Sequence, residues 1–174
     1  MSPWAAETMA RELVAEAARW LLALPFLVLL QGCSGGSQDQ SAFVARLDAA
    51  CSGVTGEQVL RLAAVADFDW DQVLILPPYT GSEVVDRALD GPAPDTVRAL
   101  GIDARDDVNG FVFLRGGSVT KAYAVPRAVM EPEIRGGPAR FFRDAALFRR
   151  RGSSRSFAPV DTTGASAAPP SGSG

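Results

Sequence analysis

The fold is decided by residues 110–126, which read Gly-Phe-Val-Phe-Leu-Arg-Gly-Gly-Ser-Val-Thr-Lys-Ala-Tyr-Ala-Val-Pro. Two apolar runs joined by two glycines predict a β-hairpin, because glycine adopts the positive φ angles that tight hairpin turns require. In the second run, the odd positions from Val119 to Val125 carry bulky side chains and the even positions carry Thr or Ala. We therefore expect one bulky face and one small face.

A second strand is predicted at Trp70–Leu76, which closes on four consecutive aliphatic residues and is followed by Pro77 and Pro78. Proline has no N–H to donate to a strand ladder, so the strand should stop there. We expect Trp70 to pack inward, since a buried indole removes about 150–250 Å² from water. Together these runs predict the α+β class: a small antiparallel sheet of three or four strands with two or three helices packed on one face.

Helices are predicted before and after this strand. Ser41 is a suitable N-cap for an apolar stripe at helical spacing over Phe43–Cys51. Thr80 and Glu83 have the spacing of a capping box, which predicts a second helix start. Val59–Val65 is compatible with a strand or a helix, and its short length favours the strand.

The N-terminal segment predicts where the protein is placed. The apolar run Trp20–Leu30 leads into Leu30, Gln31, Gly32 and Cys33, the pattern of a bacterial lipobox before a lipidated cysteine. Leu30 supplies the aliphatic residue three positions before Cys33, and Gly32 supplies the small residue directly before it. We therefore expect a cleaved lipoprotein signal peptide and a Cys33 that carries acyl chains, palmitate among them.

Two other interpretations of this segment stay open. A transmembrane helix needs about 20 consecutive apolar residues, whereas Trp20–Leu30 supplies eleven, a length that fits a signal peptide core. A buried N-terminal helix is the other interpretation. Three glutamates against two arginines precede the run, which is unusual for a signal peptide. A start at Met9 instead of Met1 would remove Glu7.

Composition divides the chain into four parts. Residues 1–32 are the predicted signal peptide, and residues 33–40, rich in Ser, Gly and Gln, predict a flexible tether. Residues 41–151 have the length of a single domain, and residues 152–174, rich in Ser, Gly, Ala and Pro, predict a disordered tail. The arginines and phenylalanines of Pro138–Arg151 predict a basic amphipathic helix that closes the domain, docked on the core, laid on an anionic membrane, or both.

The sequence contains no histidine, which excludes Ser-His-Asp and Cys-His nucleophiles and histidine-ligated metals. With Cys33 assigned to lipid, Cys51 is the one remaining cysteine. It is expected to be a buried small hydrophobe, with an intermolecular disulfide as the alternative. We expect no catalytic residue, no metal and no cofactor. Nucleic acid is not an expected partner, because the domain is acidic and outside the cytoplasm.

One internal segment is similar to a known kind of protein. Phe-Asp-Trp-Asp at 68–71, Pro-Pro-Tyr-Thr at 77–80 and Asp-Val-Asn-Gly at 107–110 resemble small bacterial envelope lipoproteins with the same strand and turn. The resemblance covers about 67–127 and implies envelope placement and fold, not a reaction, since such proteins have no known catalytic activity. The proline-rich Gly91–Pro94 insert and the arginine-rich C-terminal extension depart from the pattern.

An acidic cluster invites a calcium hypothesis. Asp67, Asp69 and Asp71 alternate like the first ligands of a calcium-binding loop. Gln72 stands where that loop needs glycine, however, and Pro78 stands where it needs a bidentate glutamate. A solvated strand face is therefore the simpler prediction.

A second acidic cluster, Asp103, Asp106 and Asp107, predicts a polar loop. Its alternative is catalytic: a carboxylate-dependent hydrolase of cell-wall glycans would pair Asp69 or Asp71 with Asp106 or Asp107 across a cleft.

These observations predict a lipid-anchored envelope protein whose domain is a non-catalytic binding or interaction module facing the periplasm or the exterior. Its expected partners are the membrane, through the lipid on Cys33, and an envelope protein or cell-wall component. Ser34 replaces the aspartate that retains lipoproteins at the inner membrane of some enteric bacteria, so we expect the outer membrane where a cell has one. Exposed aromatic and arginine side chains commonly carry interface energy. The candidate interaction surface consists of Tyr79, Thr80, Arg140, Arg143, Arg149 and Arg150.

Overall fold

The computed structural model describes residues 35–160. The predicted signal peptide, the lipobox with Cys33, and residues 161–174 lie outside that range. The chain divides into two units between Asp39 and Gln40. Apart from the first residues of helix α1 (Gly35–Gly53), the helices and strands of residues 35–160 belong to the second unit. Among the helices of residues 35–160, none is long and apolar enough to cross a bilayer.

Short helices and strands follow α1 in the chain. The elements are β1 (Val59–Arg61), α2 (Leu62–Val65), β2 (Gln72–Leu76), α3 (Ser82–Ala88), α4 (Asp95–Arg98), a 3₁₀ turn (Ile102–Ala104), β3 (Val108–Arg115), β4 (Ser118–Pro126), β5 (Glu131–Pro132), β6 (Ala139–Phe142), β7 (Leu147–Arg150) and β8 (Ser156–Pro159).

The strands of residues 35–160 form two four-stranded sheets. The central sheet has the order β4-β3-β2-β6 and is antiparallel throughout. The outer sheet has the order β1-β7-β8-β5 and is antiparallel except for the parallel pair β5 and β8. The α+β prediction is confirmed, and the predicted hairpin is β3 and β4, with positive φ angles of 57° at Gly116 and 81° at Gly117.

Both faces of the central sheet are buried. Val73 and Ile75 face a larger core that α1 and the outer sheet complete, whereas Leu74 and Leu76 face a smaller core made with α3, α4 and the 3₁₀ turn. The helices were predicted on one face of the sheet, and the structure instead covers both. This explains why residues 73–76 are uninterrupted aliphatics, since a strand buried on both sides has no polar face to alternate with.

Aromatic rings fill the larger core. Phe43 of α1 stacks on Tyr123 of β4 with ring centroids 4.5 Å apart, and Trp70 meets Phe113 edge-on at 5.2 Å. The guanidinium of Arg143 lies 5.4 Å from the Trp70 ring centroid. Trp70 is 3% exposed, so its predicted role as a core anchor is confirmed.

The small residues of β4 lie on the other face of the hairpin. Gly110 pairs with Ala124, and Val112 pairs with Ala122, on the side that α4 and the 3₁₀ turn cover. The predicted alternation of bulky and small positions is correct from Lys121 onward. It fails at Val119, because a bulge between Phe113 and Leu114 shifts the register and moves that side chain to the smaller core.

Parts of the predicted tether and of the predicted tail belong to helices and strands. Helix α1 begins at Gly35 and not after Ser41, and Gln40 Oε1 accepts a hydrogen bond from the backbone N–H of Ala124 at 3.3 Å. At the other end, β8 lies inside the outer sheet between β7 and β5, and Phe157 is fully buried. The domain therefore extends beyond both boundaries predicted for it, at least to Gln40 and to Pro159.

The predicted basic amphipathic helix over Pro138–Arg151 is wrong. This segment forms β6 of the central sheet and β7 of the outer sheet, joined by a turn. Phe141 pairs with Val73 and packs on Phe148 with ring centroids 5.4 Å apart. Pairing with partner strands overrides the helical spacing of the phenylalanines, because burial against cross-strand neighbours is worth more than local propensity.

The segment Val59–Val65, which is compatible with a strand or a helix by its sequence, contains one of each. Its first three residues are β1, as preferred, and its last four are α2. The predicted capping box is absent, because Gly81 is the N-cap of α3 and no side chain caps it.

Replacement of Gly110 by alanine should destabilise the smaller core. The new Cβ would lie 3.1 Å from Leu76 Cβ and 3.2 Å from Ile102 Cγ1, a contact that forces buried atoms apart. We expect the free energy of unfolding to fall by about 1–3 kcal/mol in urea denaturation. Gly91→Ala is the control, since its Cβ would meet nothing within 4 Å. Equal stability of the two variants would contradict the close packing described here.

Candidate binding site

The chain turns where β2 ends, at Pro77–Thr80. Tyr79 has a φ angle of 59°, a left-handed conformation that costs a residue with a side chain about 1–3 kcal/mol. Its backbone N–H holds it there by donating to the carbonyl oxygens of Ile102 at 2.9 Å and Arg105 at 3.3 Å. The side chain is 64% exposed, so the turn presents an aromatic ring to solvent.

Thr80 does not share this exposure. It is 8% exposed, and its Oγ1 donates to the carbonyl oxygen of Pro77 at 2.6 Å. The hydroxyl thus closes the turn and fixes the direction in which Tyr79 leaves the sheet. Thr80 reaches the surface only as part of the wall of an adjacent pocket.

That pocket, here called the turn pocket, has a volume of about 120 Å³. Its floor is the outer limit of the smaller core and is apolar throughout. The floor residues are Leu76, Val85, Ala93, Val97 and Ile102. None is more than 7% exposed, so the pocket is an indentation of a packed core.

Polar groups surround the mouth of the turn pocket. Asp86 Oδ1 accepts a hydrogen bond from the backbone N–H of Ala93 at 2.8 Å, and Arg98 Nε donates to the Ala93 carbonyl oxygen at 2.9 Å. These bonds fix the Gly91–Pro94 segment as one wall. Asp103 also lines the pocket, and its carboxylate makes no hydrogen bond or ion pair with residues 35–160.

The layer that carries the pocket is acidic. Residues 81–107 contain seven Asp or Glu against three Arg. Two of these arginines are paired inside the layer, Arg98 with Asp86 at 3.3 Å and Arg105 with Asp107 at 2.7 Å. Negative charge is therefore in excess in this layer. Of the two aspartates that line the pocket, Asp86 is bonded to Ala93 and Arg98, whereas Asp103 has no partner among residues 35–160.

The four arginines of the predicted interaction surface do not form one patch. Arg140 lies on β6 and Arg143 directly after it, whereas Arg149 and Arg150 lie on β7 of the other sheet. Arg140 donates to the carbonyl oxygen of Ala88 and to Gln72 Oε1 at 3.2 Å. It therefore fastens an edge strand to the C-terminal end of α3, where a cation also suits the helix dipole.

Two further arginines are bonded to main-chain carbonyl oxygens. Arg143 donates to Trp70 at 3.3 Å, and Arg150 donates to Ser154 at 2.9 Å and to Val54 at 3.3 Å. Arg149 instead makes an exposed ion pair with Glu57 at 3.4 Å. Arginine side chains held by several carbonyl oxygens stabilise the fold and have few donors left for a partner.

The aspartates before β2 have separate partners. Asp67 pairs with Arg46 of α1 at 2.8 Å, Asp69 pairs with Arg115, and Asp71 Oδ2 accepts from the backbone N–H of Gly116 at 2.7 Å. Within residues 35–160 no group of three side chains is placed to hold a metal ion. These carboxylates fasten the segment before β2 to α1 and to the hairpin turn.

The aspartate pairs of the hydrolase alternative lie far apart. Asp71 contacts Gly116 at one end of the hairpin, whereas Asp107 directly precedes β3 at the other end. Eight residues of extended strand at about 3.3 Å each separate them by more than about 20 Å, and glycosidase carboxyls lie roughly 5–9.5 Å apart. The hydrogen bond from Arg105 also lowers the pKa of Asp107, opposite to the shift that a general acid needs.

Cys51 is fully buried in the larger core and has no disulfide partner among residues 35–160. Burial raises the pKa of its thiol to about 11, and the nearby Arg155 opposes that shift only in part. The thiol is therefore protonated and inaccessible near neutral pH, as expected for a small core hydrophobe.

No protein family, curated protein or solved structure matches this chain.

The apolar part of the turn pocket was not predicted from sequence. The sequence predicts Tyr79 as part of an interaction surface because exposed aromatic side chains commonly carry interface energy, and it places Asp103 in an acidic loop. Val85, Val97 and Ile102 come from three short elements whose relative positions no local pattern specifies. Small residues at Gly110 and Ala124 were the available signal, since they indicate that another layer approaches the hairpin closely.

Substitution of Arg140 and Arg149 should separate structural from surface arginines. Arg140→Met removes charged hydrogen bonds to Ala88 and Gln72, and we expect the free energy of unfolding to fall by about 1–3 kcal/mol. Arg149→Met removes one exposed ion pair and should change stability by no more than about 0.5 kcal/mol. Urea denaturation measures both, and the reverse ranking would contradict the assigned contacts.

Proposed function

We propose that this protein is a lipid-anchored envelope lipoprotein whose domain is a non-catalytic interaction module. The lipid would be attached to Cys33, after removal of residues 1–32, because Leu30, Gln31 and Gly32 provide the lipobox pattern. The module would bind a protein or cell-wall partner through the turn surface, defined as Tyr79 together with the turn pocket.

The observation that carries the interaction part is Tyr79. Its ring is 64% exposed although its backbone is held in a left-handed conformation at φ 59°. A strained residue whose side chain gains no burial is of the kind found at ligand-binding and functional sites. Tyrosine is also enriched among residues that dominate binding energy in protein interfaces. The next residue in the chain, Thr80, lines an apolar pocket.

The chemistry of the described residues supports binding more than catalysis. The Cys51 thiol is buried and its pKa is about 11. The aspartates of the hydrolase alternative are separated by the length of β3, and Asp107 is held by Arg105 in its ionised form. Neither arrangement places a nucleophile or a general acid in a cleft, which catalysis of glycan hydrolysis requires.

The lipid anchor is tested by the intact mass of the protein extracted from native membranes. We expect a chain that begins at Cys33 and carries acyl chains, recovered in the detergent phase on phase separation. Cys33→Ser should abolish the acyl mass and the membrane recovery, because the thiol is the acceptor. Cys51→Ser is the matched control and should retain both. A full-length, unacylated wild-type product would contradict the anchor.

The interaction surface is tested by a photoreactive phenylalanine analogue placed at Tyr79 in living cells. We expect a discrete crosslinked adduct, since the exposed ring is part of the proposed surface. The same analogue at Phe142, which is 50% exposed on β6, is the control for an exposed aromatic elsewhere. Equal crosslinking from both positions, or none from either, would argue against the turn surface as the binding site.

A further inference from the structure

We infer that the turn pocket binds a basic peptide segment of the partner, with one aliphatic side chain in the pocket and an adjacent Lys or Arg against Asp103. The inference rests on the proposed interaction function and specifies the chemistry of the bound segment. Its two supports are the size of the cavity and the charge around its mouth.

The volume of the turn pocket matches one side chain. A cavity of about 150 Å³ lined by aliphatic side chains holds a molecule the size of benzene, and the turn pocket has about 120 Å³. Cofactor and drug-sized ligand sites are larger, at about 300–1,000 Å³. A Leu, Ile or Val side chain therefore fits, while most of the molecule that carries it remains outside on the surface.

The floor of the pocket favours the binding of an aliphatic group. Leu76, Val97 and Ile102 contribute apolar atoms from β2, α4 and the 3₁₀ turn. Carbonyl oxygens of the floor are already bonded: that of Ile102 accepts from the Tyr79 N–H, and that of Val97 accepts from the Leu100 N–H. Burial of a group of three or four carbons in such a floor strengthens binding by roughly tenfold or more, from the apolar area removed from water.

The mouth of the pocket selects a positive neighbour. Arg98 is already paired with Asp86, so the local cation is neutralised. The Asp103 carboxylate has no partner among residues 35–160, and Glu83 and Asp95 add negative charge from the same acidic layer. A Lys or Arg next to the inserted side chain would pair with Asp103, whereas an acidic neighbour would be repelled.

Tyr79 extends the same preference beyond the pocket. Its exposed ring lies on the turn that also supplies Thr80 to the pocket wall. An aromatic face attracts ammonium and guanidinium groups within about 6 Å of its centroid. The aromatic ring and the carboxylate thus favour the same class of ligand, an extended segment with alternating aliphatic and basic character.

The test is a nuclear magnetic resonance titration of the ¹⁵N-labelled full chain in detergent micelles. The probes are three acetylated and amidated tetrapeptides, Gly-Leu-Lys-Gly, Gly-Leu-Glu-Gly and Gly-Ala-Lys-Gly, with hexylamine as a fourth. We expect amide shifts confined to Thr80–Asp103 with Gly-Leu-Lys-Gly, at a millimolar dissociation constant. The Glu peptide should bind about fivefold more weakly than Gly-Leu-Lys-Gly. The Ala peptide should bind at least about tenfold more weakly.

Three variants assign the effect to the pocket. Ala93→Leu should fill the cavity and abolish binding, and the spectrum itself reports whether the variant folds. Asp103→Asn keeps the shape of the site and should erase the preference for Lys over Glu while the preference for Leu over Ala remains. Glu57→Gln removes a carboxylate outside the acidic layer, one that is paired with Arg149 of β7, and should leave both preferences unchanged.

Each contrary result overturns the inference. No shifts with any peptide, shifts centred elsewhere, or equal affinity of the Lys and Glu peptides would reject the basic aliphatic segment. If hexylamine binds as tightly as Gly-Leu-Lys-Gly, the ligand is a small amine and the inferred peptide segment is rejected. If no peptide binds but Tyr79 crosslinks in cells, the inference is rejected and the interaction function stands. If the peptides bind but Tyr79 gives no crosslink in cells, the interaction function alone is rejected.

Discussion

The structure depends on the pairing of β2 with β3, two strands that carry apolar side chains on both faces. Val73 and Phe113 face one way, and Leu74 and Val112 face the other. Such a pair is stable only when both faces are removed from water, which requires two covering layers instead of one. Helix α1 with the outer sheet provides the first layer, and α3, α4 and the 3₁₀ turn provide the second.

The two covering layers differ in how completely they fill the space. The larger core interlocks aromatic rings from α1, the hairpin and Trp70. The second layer consists of short helices lying over small residues such as Gly110 and Ala124. Short elements leave a gap where they meet the end of β2, and the turn pocket is that gap. The candidate site is thus a consequence of incomplete coverage on one face of an otherwise closed sheet.

Local patterns predicted what depends on local interactions. The hairpin followed from Gly116 and Gly117, and the end of β2 followed from Pro77, because both depend on backbone conformations fixed by the residues themselves. The segment Pro138–Arg151 was predicted as a helix because its phenylalanines have helical spacing. Strand pairing with distant residues decides its structure, and no local pattern specifies such a partner. The turn pocket was missed for the same reason, since three separate elements meet there.

The position of β8 places a requirement on the order of assembly. This strand is the last described element of the chain, yet it lies in the interior of the outer sheet, with β7 on one side and β5 on the other. Beyond β7 lies β1, the first strand of the chain. The outer sheet therefore joins the two ends of the domain and is incomplete until residue 159 is available. A growing or translocating polypeptide would expose one side of the larger core up to that point, so the domain commits to its final structure late and as a unit.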